Sequence, residues 1–125
     1  QWINPVFTPD GEKLIFMKDN RHNDIFIVNV DGSGIANVTN TSRSESEASI
    51  SPNGSQILFV DFTGIFLIDT TGANLSQLTD FGHSPRFSPN GDQIVFAGDW
   101  SNKGIWIIDN DGSNLVNIVE ELVLE

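Results

Sequence analysis

With 125 residues and 38% hydrophobic side chains, the chain carries enough apolar material for one modest packed domain, which excludes a disordered tail. Six Lys and Arg against 17 Asp and Glu leave a formal charge of −11, which excludes a nucleic-acid backbone or an anionic membrane as partner, since both require clustered cations. There is no cysteine, hence no disulfide framework or thiolate zinc site, and no apolar run approaches the ~20 residues that span a bilayer.

From the N-terminus, the first strand signal is Val6-Phe7-Thr8, which runs into the turn Thr8-Pro9-Asp10-Gly11. Proline presets the turn's first backbone angle and glycine accepts a positive φ. Two apolar runs follow, Leu14 to Met17 and Ile25 to Val28, separated by the polar segment Lys18 to Asp24. Both are short, rich in β-branched and aromatic residues, and bounded by turn residues, which favours strands. Asp31-Gly32 then leads into Ile35 to Thr39, where polar and apolar positions mix.

The same succession returns as Ser49-Ile50-Ser51, Ser51-Pro52-Asn53-Gly54, Ile57 to Val60, Ile65 to Ile68, Thr71-Gly72 and Leu75 to Thr79. It returns again as Arg86-Phe87-Ser88, Ser88-Pro89-Asn90-Gly91, Ile94 to Ala97, Ile105 to Ile108, Asp111-Gly112 and Leu115 to Val119. The first-turn glycines, Gly11, Gly54 and Gly91, lie 43 and 37 positions apart, whereas Gly32, Gly72 and Gly112 are spaced 40 and 40. Length differences are therefore confined to loops between fixed landmarks, as in a repeat architecture. The central runs do not alternate with polar residues, so these sheets are covered on both faces. Propeller blades, each lying between two neighbours, meet that requirement, and a lone sheet does not.

The order Ser-Pro-Asp/Asn-Gly, apolar strand, Ile-aromatic-apolar-apolar-Asp, Asp-Gly-Ser-Asn and Leu-Thr resembles the WD40-like repeat of TolB-type β-propellers, from Pro5 to about Val119. The departures are Thr8 for Ser, Asn53 and Asn90 for Asp, Ala48 where Pro5 and Pro85 stand, and Val119 where Thr39 and Thr79 stand. The expected fold is all-β: one propeller segment over 1–125, with four-stranded antiparallel blades at about 5–47, 48–84 and 85–119. Residues 120–125 read as a tail ending in Leu124-Glu125, a pair often left by cloning, and a start at Gln1 without methionine reads as an excised segment.

Known propellers have about four to eight blades, so three do not close a ring. Each uncovered end face, taken as four strands of ~18 Å spaced ~4.8 Å apart, amounts to about 350 Å². Two copies meeting head to tail cover four such faces, about 1,400 Å², which is in the range of a stable interface. The expectation is a six-bladed homodimer; the rival is a longer polypeptide that supplies the missing half.

Antiparallel succession puts the two tight turns of each blade at one end and the variable loops at the other. The loops are Lys18 to Asp24, Asn40 to Glu47, Asp61 to Gly64, Asp80 to Ser84 and Gly98 to Gly104. Rigid blades carrying variable loops suit recognition, so the binding-face candidates are Arg21, His22, Arg43, His83, Arg86 and Trp100. Trp100 is the natural anchor, because an indole on a loop either grips a partner or caps its own blade. His22 and His83 have no second ligand at metal spacing and read as exposed loop residues.

Asp109 to Asn114, with Glu120 eleven positions after Asp109, imitates an EF-hand loop, but the sixth position is Asn114 instead of glycine and the flanks read as strands. Gly82-His83-Ser84 opens like a nucleophile elbow, yet Pro85 and Arg86 follow where the second glycine belongs. No catalytic residue, metal site or cofactor is therefore expected. The resemblance implies a non-enzymatic protein-binding scaffold in the bacterial periplasm, because TolB-like proteins bridge envelope components there. Two alternatives are the substrate-gating propeller of a prolyl-oligopeptidase-like or tricorn-like peptidase and a carbohydrate-binding propeller. The latter fits less well, with only two histidines to serve a channel site.

Overall fold

The computed structural model describes residues 2–19 and 22–119. Its twelve strands are β1 Trp2–Phe7, β2 Lys13–Asp19, β3 Asn23–Asn29, β4 Ala36–Asn37, β5 Ser46–Ile50, β6 Gln56–Asp61, β7 Gly64–Asp69, β8 Ser76–Thr79, β9 His83–Phe87, β10 Gln93–Ala97, β11 Ile105–Asp109 and β12 Val116–Val119. They form three four-stranded sheets, each an antiparallel meander paired in chain order, and no helix occurs among the described residues. The fold is that of propeller blades, as the repeat requires.

Every first turn is held by one device. The hydroxyl of Thr8, Ser51 or Ser88 accepts a backbone N–H from Lys13 (3.1 Å), Gln56 (3.0 Å) or Gln93 (3.0 Å). The same hydroxyl donates to the side-chain oxygen of Asp10 (2.6 Å), Asn53 (2.7 Å) or Asn90 (2.8 Å). Only an acceptor is needed at the third turn position, so Asn replaces Asp there without loss.

The core lies between blades and not within any one of them. Ile57, Phe59, Phe66 and Ile68 of the middle blade pack with Ile15, Met17, Ile25 and Val38 of the first. Their neighbours in sequence, Leu58, Val60, Ile65 and Leu67, point the other way and pack with Ile94, Phe96 and Ile108 of the third. Period-two alternation thus feeds two cores from one pair of strands, which is why β6 and β7 are apolar at every interior position. Phe81, on the connection between the second and third blades, sits edge-on to Phe96 (5.5 Å) and Trp106 (5.1 Å).

The first strands begin earlier than the sequence signal indicates, at Trp2, Ser46 and His83 instead of Val6, Ser49 and Arg86. Each contains a bulge, marked by Asn4 (φ 53°), Glu47 (φ 53°) and Ser84 (φ 54°), where the pairing register shifts. A left-handed residue breaks the alternation that marks a strand in sequence. The outer strands are shorter than Ile35 to Thr39 and its counterparts suggest, β4 being two residues long. Ile35 and Leu75 are exposed and stand outside the pairing.

Candidate binding face

The pairs Lys13–Asn29 and Gln56–Asp69 bring both tight turns of a blade to one end, and Val30 N–H donates across them to Glu12 O (3.0 Å). Asp10, Glu12, Asp31, Asp92 and Asp111 stand at this end. The hydroxyls of Thr8, Ser33 and Ser113, donating to Asp10, Asp31 and Asp111 respectively, hold those carboxyls below the usual range, so this end remains anionic into mildly acidic conditions. At the other end stand Lys18, His22, Arg43, His83 and Lys103. Asp24, Glu45, Asp61, Asp80 and Asp99 stand there too, and Lys13 lies at the turn end, so both ends mix charges.

Phe62, which sequence reasoning missed, forms the tip of the β6–β7 hairpin and is 84% exposed. Its position is fixed from beneath. Asp61 Oδ1 accepts Thr63 N–H (2.6 Å), while Arg43, reaching over from the β4–β5 connection, lies 3.4 Å from Asp61 Oδ2, donates to Thr63 Oγ1 (3.1 Å) and stacks over the Phe62 ring at 5.6 Å. Arg43 therefore serves the face by holding an aromatic tip in place.

Trp100 occupies the matching connection of the next blade and is 90% exposed, so it does not cap its own blade. Lys103 lies over its ring at 5.9 Å. The loop is tightly built: Asp99 Oδ1 accepts Ser101 and Asn102 N–H (3.0 and 2.9 Å), Trp106 Nε1 donates to Asn102 O (3.1 Å), and a Cβ on Gly98 would lie 1.8 Å from Asn102 O. His83 and Trp100 come together with Lys103, Ile105 and Val119 around a recess of about 640 Å³. The His83 ring contacts Ser84 Oγ (3.0 Å).

His22 is half-buried just before β3, with Nε2 3.8 Å from Asp24 Oδ2. Arg21 lies outside the described residues, as does Glu120. Arg86 departs from the loop set: it sits within β9, donates to Pro85 O (2.9 Å), and lines a recess of about 500 Å³ with Asn4, Glu47 and Ser84 of the three first strands. There the Glu47 carboxylate accepts Ser84 N–H (2.7 Å), bonding one blade to the next.

In the turn that resembles a calcium loop, the Asp109 carboxylate accepts from Asn114 Nδ2 (2.8 Å) and Asp69 from Asn74 Nδ2 (2.7 Å), so these groups close their own turns. No group of three or more His, Cys, Asp or Glu positioned for a metal ion occurs among the described residues, and no described helix is long and apolar enough to cross a membrane.

A family model described as the TolB beta propeller domain matches residues 2–122. An uncharacterized protein of Agrobacterium fabrum is 28% identical over 112 residues, covering 74% of this chain and 38% of its own length. A solved structure assigned to TolB of Agrobacterium tumefaciens superposes with a TM-score of 0.76 at 21% identity, covering 92% of this chain and 47% of that one. An oligogalacturonate lyase in complex with manganese gives 0.77 at 19% identity, covering 96% and 36% of the two chains. A puromycin hydrolase mutant complexed with PGG gives 0.72 at 16%, covering 96% and 22%. The chain therefore spans about half or less of the length of the relatives it matches, and all three structural likenesses concern the fold alone.

Proposed function

The chain belongs to the TolB beta propeller domain family, and from that premise we propose that it is a non-enzymatic, extracytoplasmic scaffold that binds a protein partner through the loop end of its blades. One observation carries this reading: the two most exposed large apolar side chains among the described residues, Trp100 at 90% and Phe62 at 84%, occupy the tips of matching connections on adjacent blades. Water penalises two such rings, and each is braced by its own loop instead of being tucked away. Braced aromatic tips bind with little loss of side-chain entropy, the property that makes Trp and Arg frequent binding hot spots. The extracytoplasmic location is the family expectation, and fractionation of cells carrying the native gene tests it.

The binding test compares the immobilised chain with Trp100→Ala and Phe62→Ala in capture from an envelope extract, with circular dichroism as the check on folding. Loss of about 1 kcal/mol or more per ring, roughly fivefold weaker retention, is expected for at least one captured protein. Identical capture by all three chains would sink the reading. A substrate-gating propeller is the second reading, favoured by the fold match to the puromycin hydrolase mutant, of which these blades cover only 22%. A hydrolase domain encoded beside them in the parent reading frame decides for it.

A further inference from the structure

We propose that one proton governs the grip on Phe62: the buried pair Asp24 and Glu45 keeps the β4–β5 connection closed while Glu45 is protonated and lets it open when Glu45 ionises. The inference rests on the reading of Phe62 as a binding tip, and it adds the regulation of that tip. The repeat itself indicates that the pair is not a requirement of the fold. Gly64 stands in the second blade where Asp24 stands in the first, and Gly82 precedes β9 as Glu45 precedes β5. The next junction is thus built with no charge at either place.

Burying two neighbouring carboxyls costs free energy unless donors meet them. Both residues are at least nine-tenths buried, and Glu45 Oε2 and Asp24 Oδ1 have no hydrogen-bond partner among the described residues. Two carboxylates can only accept, whereas one proton gives the pair a donor and removes its like-charge repulsion. The charged groups around the pair are engaged elsewhere on it or beside it. His22 Nε2 stands 3.8 Å from Asp24 Oδ2, the oxygen that Asn37 Nδ2 already bonds (2.8 Å). Lys18, opposite Asp24 in β2, has its ammonium 6.0 Å from the centre of the Phe26 ring, and Arg43 faces Asp61 of the next blade. Arg21 lies outside the described residues.

A chain of contacts carries the state of the pair to the surface. Glu45 N–H donates to Asn23 O (2.8 Å), which anchors the connection on β3, and Glu45 Oε1 accepts from the hydroxyl of Thr41. The same Thr41 oxygen accepts Arg43 N–H (3.2 Å), and the Arg43 guanidinium reaches Asp61 (3.4 Å) and Thr63 (3.1 Å) and stacks over Phe62. An ionised Glu45 must bring water to its bare oxygen, and it does so by moving the connection that bears Thr41 and Arg43. Arg43 then leaves Asp61 and Thr63, and Phe62 loses its brace. Burial, and then Asp24, hold the Glu45 carboxyl above its usual range, so the closed form binds the proton more tightly than the open one. Closure is complete below the ordinary glutamate value of about 4.3 and is lost as pH rises through the value of the closed form.

An NMR titration of the 125-residue chain tests this by following the Glu45 side-chain carboxyl, the His22 ring and the backbone amides of Arg43 and Thr63. The two amides are expected to move with the Glu45 carboxyl along one curve, with a tenfold change in the ratio of closed to open forms for each pKa unit that separates them. Glu45→Gln should abolish that shared curve, and Thr41→Val should leave Glu45 titrating while Thr63 no longer follows. Should Glu45→Gln fail to fold, the unaltered chain and Thr41→Val decide. Amides that stay still while Glu45 titrates overturn the proposal. So do amides that follow the His22 ring instead, a shared curve that survives in either variant, and a curve displaced to lower pH by calcium chloride, which would put a metal ion in the place of the proton. None of these readings needs a partner. Failure of capture through Phe62 therefore leaves the titration standing as a property of the loop, and failure of the titration leaves the binding role untouched.

Discussion

Glu45 is 1% exposed and lies beside Asp24, itself 5% exposed, an arrangement that runs against the preference of two carboxylates for water. Thr41 donates to Glu45 Oε1 and Asn37 Nδ2 to Asp24 Oδ2 (2.8 Å), but Glu45 Oε2 and Asp24 Oδ1 are buried with no hydrogen-bond partner among the described residues. Burial, and then the charge of Asp24, push the Glu45 carboxyl above its usual range, against the lowering effect of Thr41. A raised carboxyl pKa means that the folded chain holds the proton more tightly than the unfolded chain. The resulting stabilisation is complete below the unfolded value of about 4.3 and is lost as pH rises through the folded value. Glu45→Gln keeps the shape and removes the charge. It should raise the melting temperature at pH 7 by about 4 °C, equivalent to about 1 kcal/mol, and the gain should vanish near pH 4. Melting curves of both chains across that range test it, and a gain independent of pH removes the ionisation from the explanation.

At the scale of elements, glycine at the start of the third strand is a matter of close approach. Gly64 has φ +143°, and a Cβ there would lie 2.0 Å from Thr79 O of β8; Gly104 stands in the same relation to Val119 O at 2.2 Å. Gly64→Ala should therefore cost more than about 3 kcal/mol, read by urea unfolding, since both backbone strain and a clash with main chain oppose it. The first blade has Asp24 at this place, where the fourth strand is only two residues long and Asn37 bonds the aspartate. Such local solutions explain what could be read from sequence. The second and third strands of every blade are legible because their apolar runs are unbroken, and in the middle blade those runs feed two cores. The first strands begin before their sequence signal because the bulges at Asn4, Glu47 and Ser84 put polar residues inside the pairing. Trp100 was legible as an indole among polar loop residues. Phe62 was not, since Val60-Asp61-Phe62 runs straight on from an apolar strand and reads as its continuation. Arg86 belongs to a strand that the sequence hides, because Pro85 interrupts the signal while the strand continues through it.

For the whole molecule, stability is distributed along the row of blades, because each blade is folded by its neighbours more than by itself. Ile65 and Ile105 make this measurable: they are the same residue at the same place in consecutive blades, one buried under the third blade and the other half-buried at the open end. Ile65→Ala removes methyl groups from a closed core and should cost about 3–4 kcal/mol at any protein concentration. Ile105→Ala in an isolated chain removes groups that already touch water in part, and should cost about 1 kcal/mol. Urea denaturation of the two variants beside the unaltered chain reads both losses. A difference of about 2–3 kcal/mol between them is expected if stability is held between blades, whereas equal losses would mean that each blade is stabilised within itself.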